Sequence, residues 1–239
     1  MLSDHPLIVA LDVPSPQAAM ALVEQLGDDV ATYKIGLELV FAGGLSLIPE
    51  LRAAGKGVFL DVKLLDISNT VERAVAQIAG LGVDLLTLHA VDRKTVAAAV
   101  SGQGAAKLGL LGVTVMTHLN AEDLANDQLV TAPIEDVVMQ RAAHAIHGGC
   151  RGVVASALEA AALRAAFGPE PLIVTPGIRP AGGDAGDQQR VTTPAAALQA
   201  GASHLVVGRP ITQADNPAEA AAMINAQIAA AARSSAGQQ

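Results

Sequence analysis

Eight short apolar runs recur along the chain, and longer segments with a helical pattern separate them. Each run is continuously apolar rather than alternating, which is typical of strands buried on both faces of a parallel sheet. The predicted strands cover residues 7–11, 32–35, 58–60, 85–88, 110–115, 152–155, 172–174 and 205–207. The pattern therefore predicts strand and helix in alternation from one end of the chain to the other.

The segments between the runs carry apolar residues at helical spacing. One stripe consists of Val71, Val75, Ile78 and Leu81, and a second of Ile134, Val138, Ala142 and Ala145. Two helix starts are marked by a capping residue followed by proline, at Ser15-Pro16 and at Asn216-Pro217. Glycines at positions 27, 55, 82, 148, 149, 168 and 201 mark helix ends.

Eight strand–helix units without a linker or a break in composition predict one domain over residues 1–239. Strict alternation predicts a parallel sheet, and eight units in a chain of this length predict a closed (β/α)8 barrel of the α/β class. The alternative is an open doubly wound sheet, which normally has a glycine-rich nucleotide-binding turn after its first strand. Residues 12–16 read Asp-Val-Pro-Ser-Pro at that place, so the barrel is preferred.

Composition narrows the possible partners. Hydrophobic residues make up 51% of the 239 residues and aromatic residues 2%, so Ala, Val, Leu and Ile have to build the core. The formal net charge of −8 argues against a nucleic-acid binder. Any anionic ligand must therefore be held by local positive groups rather than by the overall field.

Cysteine usage and the N-terminal residues bear on the cellular compartment. Cys150 is the one cysteine of the chain, which excludes an internal disulfide and fits a reducing cytoplasm. No basic segment followed by an apolar stretch opens the sequence, and no unbroken apolar run reaches the ~18 residues of a membrane span. We expect a cytoplasmic protein with no membrane partner.

Polar residues follow almost every apolar run. In a (β/α)8 barrel the active site lies at the C-terminal ends of the strands, so these residues are expected to converge on one rim. They are Asp12, Lys34, Asp61, Lys63, His89, Thr117, Ser156, Thr175 and Arg209. For any one of them a solvated loop position is the alternative, and for His89 a buried structural histidine.

Three charged residues close the third predicted strand. Asp61 and Lys63 are two residues apart and should share a face, with Asp66 in the following turn. Charges beside an apolar strand are costly to desolvate unless they are paired or used in chemistry. An ion pair that merely closes the strand is the structural alternative.

The last two units carry a second cluster of polar residues. Residues 175–180 read Thr-Pro-Gly-Ile-Arg-Pro, and residues 207–210 read Val-Gly-Arg-Pro. The loops after strands seven and eight are the usual phosphate site of a barrel, where glycine admits backbone N–H groups and arginine supplies a charged fork. The polar segment 179–190 is expected to form a mobile phosphate-gripping loop, with an ordinary surface loop as the alternative.

Together these motifs resemble the orotidine 5′-phosphate decarboxylase family, over residues 7–210. The Asp-x-Lys-x-x-Asp element also occurs in sister sugar-phosphate enzymes, and its combination with the other motifs makes the resemblance specific. The matching residues are Asp61-x-Lys63-x-x-Asp66-Ile67 with Thr70 three residues on, Lys34 in Tyr-Lys-Ile-Gly, Arg179 in Thr-Pro-Gly-Ile-Arg, Gln188, and Gly208-Arg209-Pro210.

The resemblance implies the decarboxylation of orotidine 5′-phosphate (OMP) to UMP and CO₂ in de novo pyrimidine biosynthesis, with no metal and no cofactor. Asp12 and Lys34 would bind the ribose hydroxyls, and Lys34 would also belong to the charge network. Asp61 would lie beside the substrate carboxylate, and Lys63 would donate a proton to C6.

The resemblance further implies a homodimer with shared active sites, because Asp66 and Thr70 would reach in from the neighbouring subunit. Thr117 would contact the pyrimidine or help to close over it. His118 follows it where the family pattern has a small hydroxyl residue, which bears on the contacts of that loop and not on the chemistry. The residues implied at the phosphate are Gln188, Gly208 and Arg209, with Arg179 supporting the closing loop.

Loss of CO₂ from C6 leaves a carbanion with no adjacent π-system to spread the charge. The sequence shows no evident Schiff-base, thiamine or pyridoxal site that could act as an electron sink. The protein therefore has to stabilise the anion electrostatically. Lys63, kept cationic by Asp61 and Asp66, fits that task and can then quench the charge by protonation.

Two alternatives stay open. A Mg²⁺-dependent decarboxylase of keto-sugar phosphates would need an added carboxylate ligand near the end of strand two, where Lys34 stands and Glu38 is the nearest carboxylate. A non-catalytic phosphate-ligand-binding barrel would need Arg209 but not the array of Asp61, Lys63 and Asp66.

Overall fold

Eight parallel strands close into a barrel in the computed structural model, which describes residues 5–180 and 192–236, with side chains to residue 233. The strands follow one another around the barrel in chain order, and β1 closes the ring by pairing with β8. They are β1 (Leu7–Ala10), β2 (Thr32–Gly36), β3 (Gly57–Leu64), β4 (Leu85–His89), β5 (Gly109–Val113), β6 (Gly152–Val154), β7 (Leu172–Thr175) and β8 (His204–Val207). The architecture is a (β/α)8 barrel, as predicted.

Helices lie between successive strands in the described residues. They are α1 (Pro16–Leu26), α2 (Leu37–Phe41), α3 (Leu47–Ala53), α4 (Ser68–Ala79), α5 (Arg93–Gln103), α6 (Ala121–Asp127), α7 (Ile134–His147), α8 (Ala157–Phe167), α9 (Pro194–Gln199), α10 (Arg209–Thr212) and α11 (Pro217–Ala236). Short 3₁₀ turns cover Gly27–Asp29 and Gly44–Ser46. None of the helices in the described ranges is both long and apolar enough to cross a membrane.

All eight predicted apolar runs are strands, and two of their boundaries differ from the prediction by more than one residue. β5 ends at Val113, two residues before the predicted end, and β3 continues four residues past its predicted end to Leu64. The extension of β3 contains Asp61 and Lys63, which the sequence pattern placed just beyond the strand. These polar residues interrupt the apolar run although the strand continues, so the sequence pattern ended β3 too early.

The core has two layers because barrel strands bury both faces. Side chains that point into the barrel form a small apolar cluster, and those that point outward pack against the helices in a larger one. The inner cluster consists of Ile8, Phe59, Leu85, Leu111 and Val174, all at most 1% exposed. This layer seals the barrel below the strand ends, so that a ligand has access only from the rim.

The predicted helix signals also hold. Ser15 Oγ accepts a hydrogen bond from the backbone N–H of Ala18 at 3.2 Å, and Asn216 Oδ1 accepts one from Glu219 N–H at 3.3 Å. Val71 and Val75 of the first stripe are buried on α4, whereas Leu81 lies beyond the helix and is 41% exposed. The stripe ends with the helix because Gly80 and Gly82 terminate it.

A substitution at Leu111 tests how much the inner apolar layer contributes to stability. Replacing Leu111 with alanine should lower the free energy of unfolding by about 2–5 kcal/mol, because the side chain is fully buried and the rigid barrel leaves a cavity. Equilibrium denaturation at fixed protein concentration measures this. The control is Leu158→Ala on α8, where the side chain is 71% exposed and the change should stay within about 0.5 kcal/mol. Equal effects of the two changes would contradict the two-layer core.

Candidate active site

The strand ends open into a cavity of about 450 Å³ on the C-terminal side of the barrel. Its charged and polar lining comes from elements at both ends of the chain. These lining residues are Asp12, Lys34, Glu38, Asp61, Lys63, Thr117, His118, Arg179, Arg209 and Gln213. The cavity therefore joins the two clusters that the sequence predicted separately, the charged end of β3 and the glycine–arginine turns after β7 and β8.

Four charged side chains form an alternating row along the wall of the cavity. Lys34 Nζ donates a hydrogen bond to Asp12 Oδ1 at 2.9 Å and lies 3.6 Å from Asp61 Oδ2. Lys63 Nζ donates to the other oxygen of that carboxylate, Asp61 Oδ1, at 2.9 Å. The side chains of Lys34 and Asp61 are 9% and 13% exposed, and that of Lys63 is 32% exposed. Lys63 is the cation of the row that faces the open part of the site.

Asp61 is held as a carboxylate. Burial by itself raises its pKa, but the charges of Lys34 and Lys63, with hydrogen bonds from Lys63 and Thr87, leave the pKa below its ordinary value. A negative charge is therefore fixed beside the Lys63 ammonium at any pH near neutrality. The Lys63 ammonium, a proton donor, and the Asp61 carboxylate, a proton acceptor, therefore lie side by side in the cavity.

Local backbone explains how Lys34 reaches two carboxylates. Lys34 points into the barrel from β2, and Asp12 follows β1, whose neighbour in the sheet is β2. Gly36 leaves the room for the pair, because a Cβ at that position would come within 2.8 Å of both Asp12 Oδ1 and Lys34 Nζ. Any larger residue at 36 would push the two groups apart.

Lys63 reaches the cavity by an irregular backbone. The pairing of β3 with β4 is regular to Leu60 and resumes at Leu64, with a register shift between them. Lys63 has a φ of +49°, in the left-handed region that side chains rarely adopt, at a cost of about 1–3 kcal/mol. Simple alternation predicted that Asp61 and Lys63 share a face. They do line one cavity, but a bulge rather than a regular strand aims the lysine.

The phosphate end of the predicted site is formed by the turns after β7 and β8. Gly177, Arg179, Gly208 and Arg209 line the cavity. Gly177 has a φ of +77°, and its carbonyl accepts a hydrogen bond from Thr192 N–H at 3.2 Å. Arg179 N–H donates to the Thr192 carbonyl at 2.9 Å. These bonds tie together the two ends of the intervening segment. Gln188 and the rest of 181–191 lie outside the described residues.

The loop after β5 covers one side of the cavity. Thr117 is buried in the cavity wall and His118 beside it is exposed, so both contribute to the lining. Arg141 of α7 supports the base of this loop by donating from Nη1 to the Thr114 carbonyl at 2.8 Å. Thr117 lies in the loop beyond the end of β5 rather than at the strand end itself, and it lines the cavity.

Other predicted residues lie away from the cavity lining. Asp66 and Thr70 are exposed, within an exposed run over residues 65–70, and Asp66 Oδ1 accepts a hydrogen bond from Ile67 N–H at 2.6 Å. Ser156 caps α8 by accepting from Leu158 N–H, and Thr175 is fully buried. Ser156 is therefore polar because it caps a helix, whereas the Thr175 hydroxyl has no hydrogen-bond partner among the described residues, and neither residue lines the cavity.

His89 ends β4 and is half-buried next to the charged row. Burial lowers its pKa, and the nearby positive charges of Lys63 and Arg141 lower it further. The imidazole is therefore neutral near pH 7. His89 therefore adds no cation beside the row, and it is not among the residues that line the cavity.

The sequence interpretation missed Thr87, which contacts both partners of the central pair. Its hydroxyl donates to Asp61 Oδ1 at 2.9 Å and accepts from the Lys63 backbone N–H at 2.9 Å. The available signal was a polar residue in the middle of a run, 85–88, that is otherwise apolar. Glu38 and Gln213, which also line the cavity, carried no such signal.

The residues that the structure describes contain no group of three or more His, Cys, Asp or Glu side chains arranged to hold a metal ion. Lys34 occupies the space between Asp12 and Asp61, so both carboxylates already face a cation. The arrangement of the described residues is that of an ion-pair network.

Comparisons of the sequence with known proteins identify relatives of this chain. Residues 5–224 match the family model described as orotidine 5′-phosphate decarboxylase / HUMPS family. An orotidine 5′-phosphate decarboxylase of Rhodopseudomonas palustris (strain HaA2) is 52% identical over 225 residues, which cover 94% of this chain and 95% of that protein. Another, of Ruegeria pomeroyi, is 50% identical over 232 residues, covering 95% of each.

A solved structure is similar over the same range. The crystal structure of orotidine 5′-phosphate decarboxylase from Lactobacillus acidophilus superposes with a TM-score of 0.82 at 35% identity, covering 94% of this chain and 99% of that one. The likeness extends over the whole barrel.

Lys34→Met tests the electrostatics of the row. Losing this cation should raise the pKa of Asp61, measured by ¹³C NMR titration of the carboxyl carbon. Because the pKa of Asp61 is lowered on folding, its contribution to stability is present above the unfolded value of about 3.9 and is lost as pH falls through the folded value. The variant should lose this contribution at a higher pH. Lys107→Met, at an exposed lysine before β5, is the control and should leave the pKa of Asp61 unchanged. The same pKa in both variants would contradict the assignment.

Proposed function

The chain belongs to the orotidine 5′-phosphate decarboxylase / HUMPS family and is a carboxy-lyase that converts OMP to UMP and CO₂, and we propose that Lys63 supplies the proton that replaces the lost carboxylate. The family description covers more than one activity, and the relatives at 50–52% identity are named as the decarboxylase. One observation carries the residue assignment. The Lys63 ammonium, paired with Asp61 at 2.9 Å, lines the same cavity as Arg209.

Lys63 alone can supply the proton that the decarboxylation requires. The bond between C6 and the carboxylate breaks heterolytically, CO₂ leaves, and the electron pair stays on C6. The Lys63 ammonium faces that developing charge, stabilises it, and transfers a proton to C6. The resulting neutral amine regains a proton from solvent. In a closed site with an effective dielectric of ~20 rather than ~80, the attraction between ammonium and carbanion is several times larger than in water.

Asp61 acts on the ground state of the reaction. The carboxylate, already accepting from Lys63 and Thr87, faces the substrate carboxylate and repels it. That repulsion disappears as CO₂ forms, so part of the barrier is removed by destabilising the bound substrate. Lys34 keeps Asp61 ionised and, with Asp12, binds the ribose hydroxyls.

The phosphate is held far from the reacting carbon. Arg209, Gly208 and Arg179 line that end of the cavity, and Gln188 is proposed to join them. Residues 179–190 are proposed to close over the phosphate, and the hydrogen bonds of Gly177 and Arg179 with Thr192 support this by fixing both ends of the segment. Binding energy from the phosphate then serves to position the pyrimidine. Thr117 is proposed to contact that ring.

A second copy of the chain is proposed to complete the site. Asp66 and Thr70 do not line the cavity of their own chain, and the exposed run that holds them includes two large apolar side chains. Leu65 is 54% and Ile67 is 73% exposed, and Phe41 on α2 is 85% exposed. Apolar surface of this kind is typical of a subunit interface. A homodimer would bury it and carry Asp66 to the partner's cavity.

The remaining proposals concern the setting of the enzyme. The whole chain is proposed to act as one barrel domain in the cytoplasm, where it produces UMP for pyrimidine biosynthesis. Burial raises the pKa of the Cys150 thiol to about 12, which makes it an inert core residue in a reducing compartment. No cofactor is proposed.

The metal-dependent alternative is disfavoured by Lys34. A Mg²⁺ ion in this cavity would need carboxylates that are free to coordinate it, and Lys34 pairs with Asp12 and Asp61. Glu38 lines the cavity but lies in the first turn of α2. A non-catalytic phosphate-binding barrel would not require a Lys63 that is paired with Asp61 and has a costly backbone conformation.

Purified protein mixed with OMP in the presence of EDTA should show steady decarboxylation, followed by ultraviolet absorbance. Lys63→Ala should lower turnover by about 10⁴-fold or more, because both charge stabilisation and proton transfer are lost. Its affinity for UMP should persist, since the phosphate contacts remain. Lys107→Ala is the matched control and should behave as the unaltered chain. Dependence on added Mg²⁺ would favour the metal-requiring alternative, and near-normal turnover of Lys63→Ala would remove the proton-donor assignment.

Mixing two inactive variants tests whether each active site is shared between two subunits. Asp66→Asn and Lys63→Ala homodimers should each be nearly inactive, whereas random mixing should restore about a quarter of wild-type activity. Half of the dimers are then mixed, and each has one site with both native residues. Mixing Asp66→Asn with a chain that carries both substitutions provides the control and should give no recovery. Absence of recovery in the first mixture would indicate self-contained subunits.

A further inference from the structure

We propose that Thr87 is a positioning residue of the decarboxylase, holding Lys63 and Asp61 in the geometry that the reaction requires. The inference rests on the function proposed above. Thr87 lies on β4, is fully buried, and is not part of the cavity lining. It therefore acts through its two neighbours and not by contact with the substrate.

The sheet brings Thr87 opposite the irregular part of β3. Leu60 pairs with Leu86, and Leu64 pairs with Leu88, so three residues of β3 stand against the single residue Thr87. A bulge of this kind bends a strand and redirects a side chain. The backbone N–H and C=O groups inside the bulge also lose the hydrogen-bond partners that a regular ladder would give them.

The Thr87 hydroxyl replaces one of those lost partners. It accepts the backbone N–H of Lys63 at 2.9 Å and donates its own proton to Asp61 Oδ1 at 2.9 Å. Lys63 Nζ donates to that same oxygen at 2.9 Å. The hydroxyl thus closes a ring that runs from the lysine backbone, through Thr87 and the Asp61 carboxylate, to the lysine ammonium.

This ring of hydrogen bonds stabilises the unusual backbone conformation of Lys63. With φ at +49°, Lys63 occupies a conformation that the surrounding structure has to maintain. The N–H bond to Thr87 fixes the backbone of Lys63, and the O–H bond fixes the carboxylate that its ammonium contacts. Without the hydroxyl, the Lys63 N–H would lose its acceptor and Asp61 Oδ1 would lose one of its two donors, in a partly buried place.

Valine at position 87 would keep the shape of threonine and remove both bonds. Turnover of OMP should fall by about 100-fold, the effect expected when a reacting group shifts by about 1 Å. KM and the affinity for UMP should stay close to wild type, because the phosphate and ribose contacts are untouched. The acid limb of the kcat profile should move to higher pH, because the hydrogen bond from Thr87 helps to lower the pKa of Asp61. Thr87→Ser keeps the hydroxyl and should restore both properties.

Thr32→Val is the matched control. Thr32 is also fully buried in a barrel strand, at the opposite end of β2 from Gly36, and its hydroxyl has no hydrogen-bond partner among the described residues. This change should leave kcat and its pH profile as in wild type. Should Thr87→Val not fold, Thr87→Cys provides a second comparison with Thr87→Ser, because a thiol of similar size is a weak donor and acceptor.

Two results would overturn the proposal. One is wild-type kcat in Thr87→Val. The other is a parallel loss of kcat, KM and thermal stability that serine does not rescue, with the pH profile unmoved, which would indicate a purely structural role. The proposed function fails separately, if the unaltered protein leaves OMP unchanged. In that case the pKa of Asp61, read by ¹³C NMR, still decides the question, because Thr87→Val must raise it.

Discussion

The contact between the Lys63 ammonium and the Asp61 carboxylate is the interaction on which the site depends. Asp61 is nearly buried and faces two cations, Lys63 at 2.9 Å and Lys34 at 3.6 Å, so its negative charge is compensated from two sides. The remaining members of the row, Lys34 and Asp12, balance the charge. In the proposed reaction the more exposed Lys63 would give up its proton while Asp61 still has Lys34 as a partner.

The sealed apolar core and the charged cavity occupy successive inward-facing positions of the same barrel strands. Phe59 and Leu85 point inward and close the barrel, and the next inward positions on the same strands are Asp61 and Thr87. Because strand side chains alternate, two residues of chain suffice to pass from an apolar interior to a charged cavity. The apolar layer also excludes water from beneath the ion pairs, which strengthens their electrostatic interactions.

Much of this arrangement was predictable from local sequence, and the remainder depends on contacts between strands. The eight continuous apolar runs predicted the barrel, and polar residues after them predicted most of the cavity wall, because strand ends converge by topology. A strand-end position does not determine which way a side chain points, however. Ser156 caps a helix and Thr175 is buried, although both follow apolar runs as Asp12 does. The bulge at Lys63 could not be predicted from β3, since its hydrogen-bond partner, Thr87, lies 24 residues away.

The same bulge links the chemistry to the proposed dimer. After the left-handed residue Lys63 the chain passes from the cavity to the surface within three residues, and Asp66 is exposed and does not line the cavity of its own chain. A regular strand would carry the segment 65–70 along the barrel wall and bury part of it. The irregular strand instead presents Leu65 and Ile67 to the outside on either side of Asp66. In the proposed homodimer, apolar association of two copies would deliver the carboxylate to the neighbouring site, so the energy that associates the subunits would also complete the charge array.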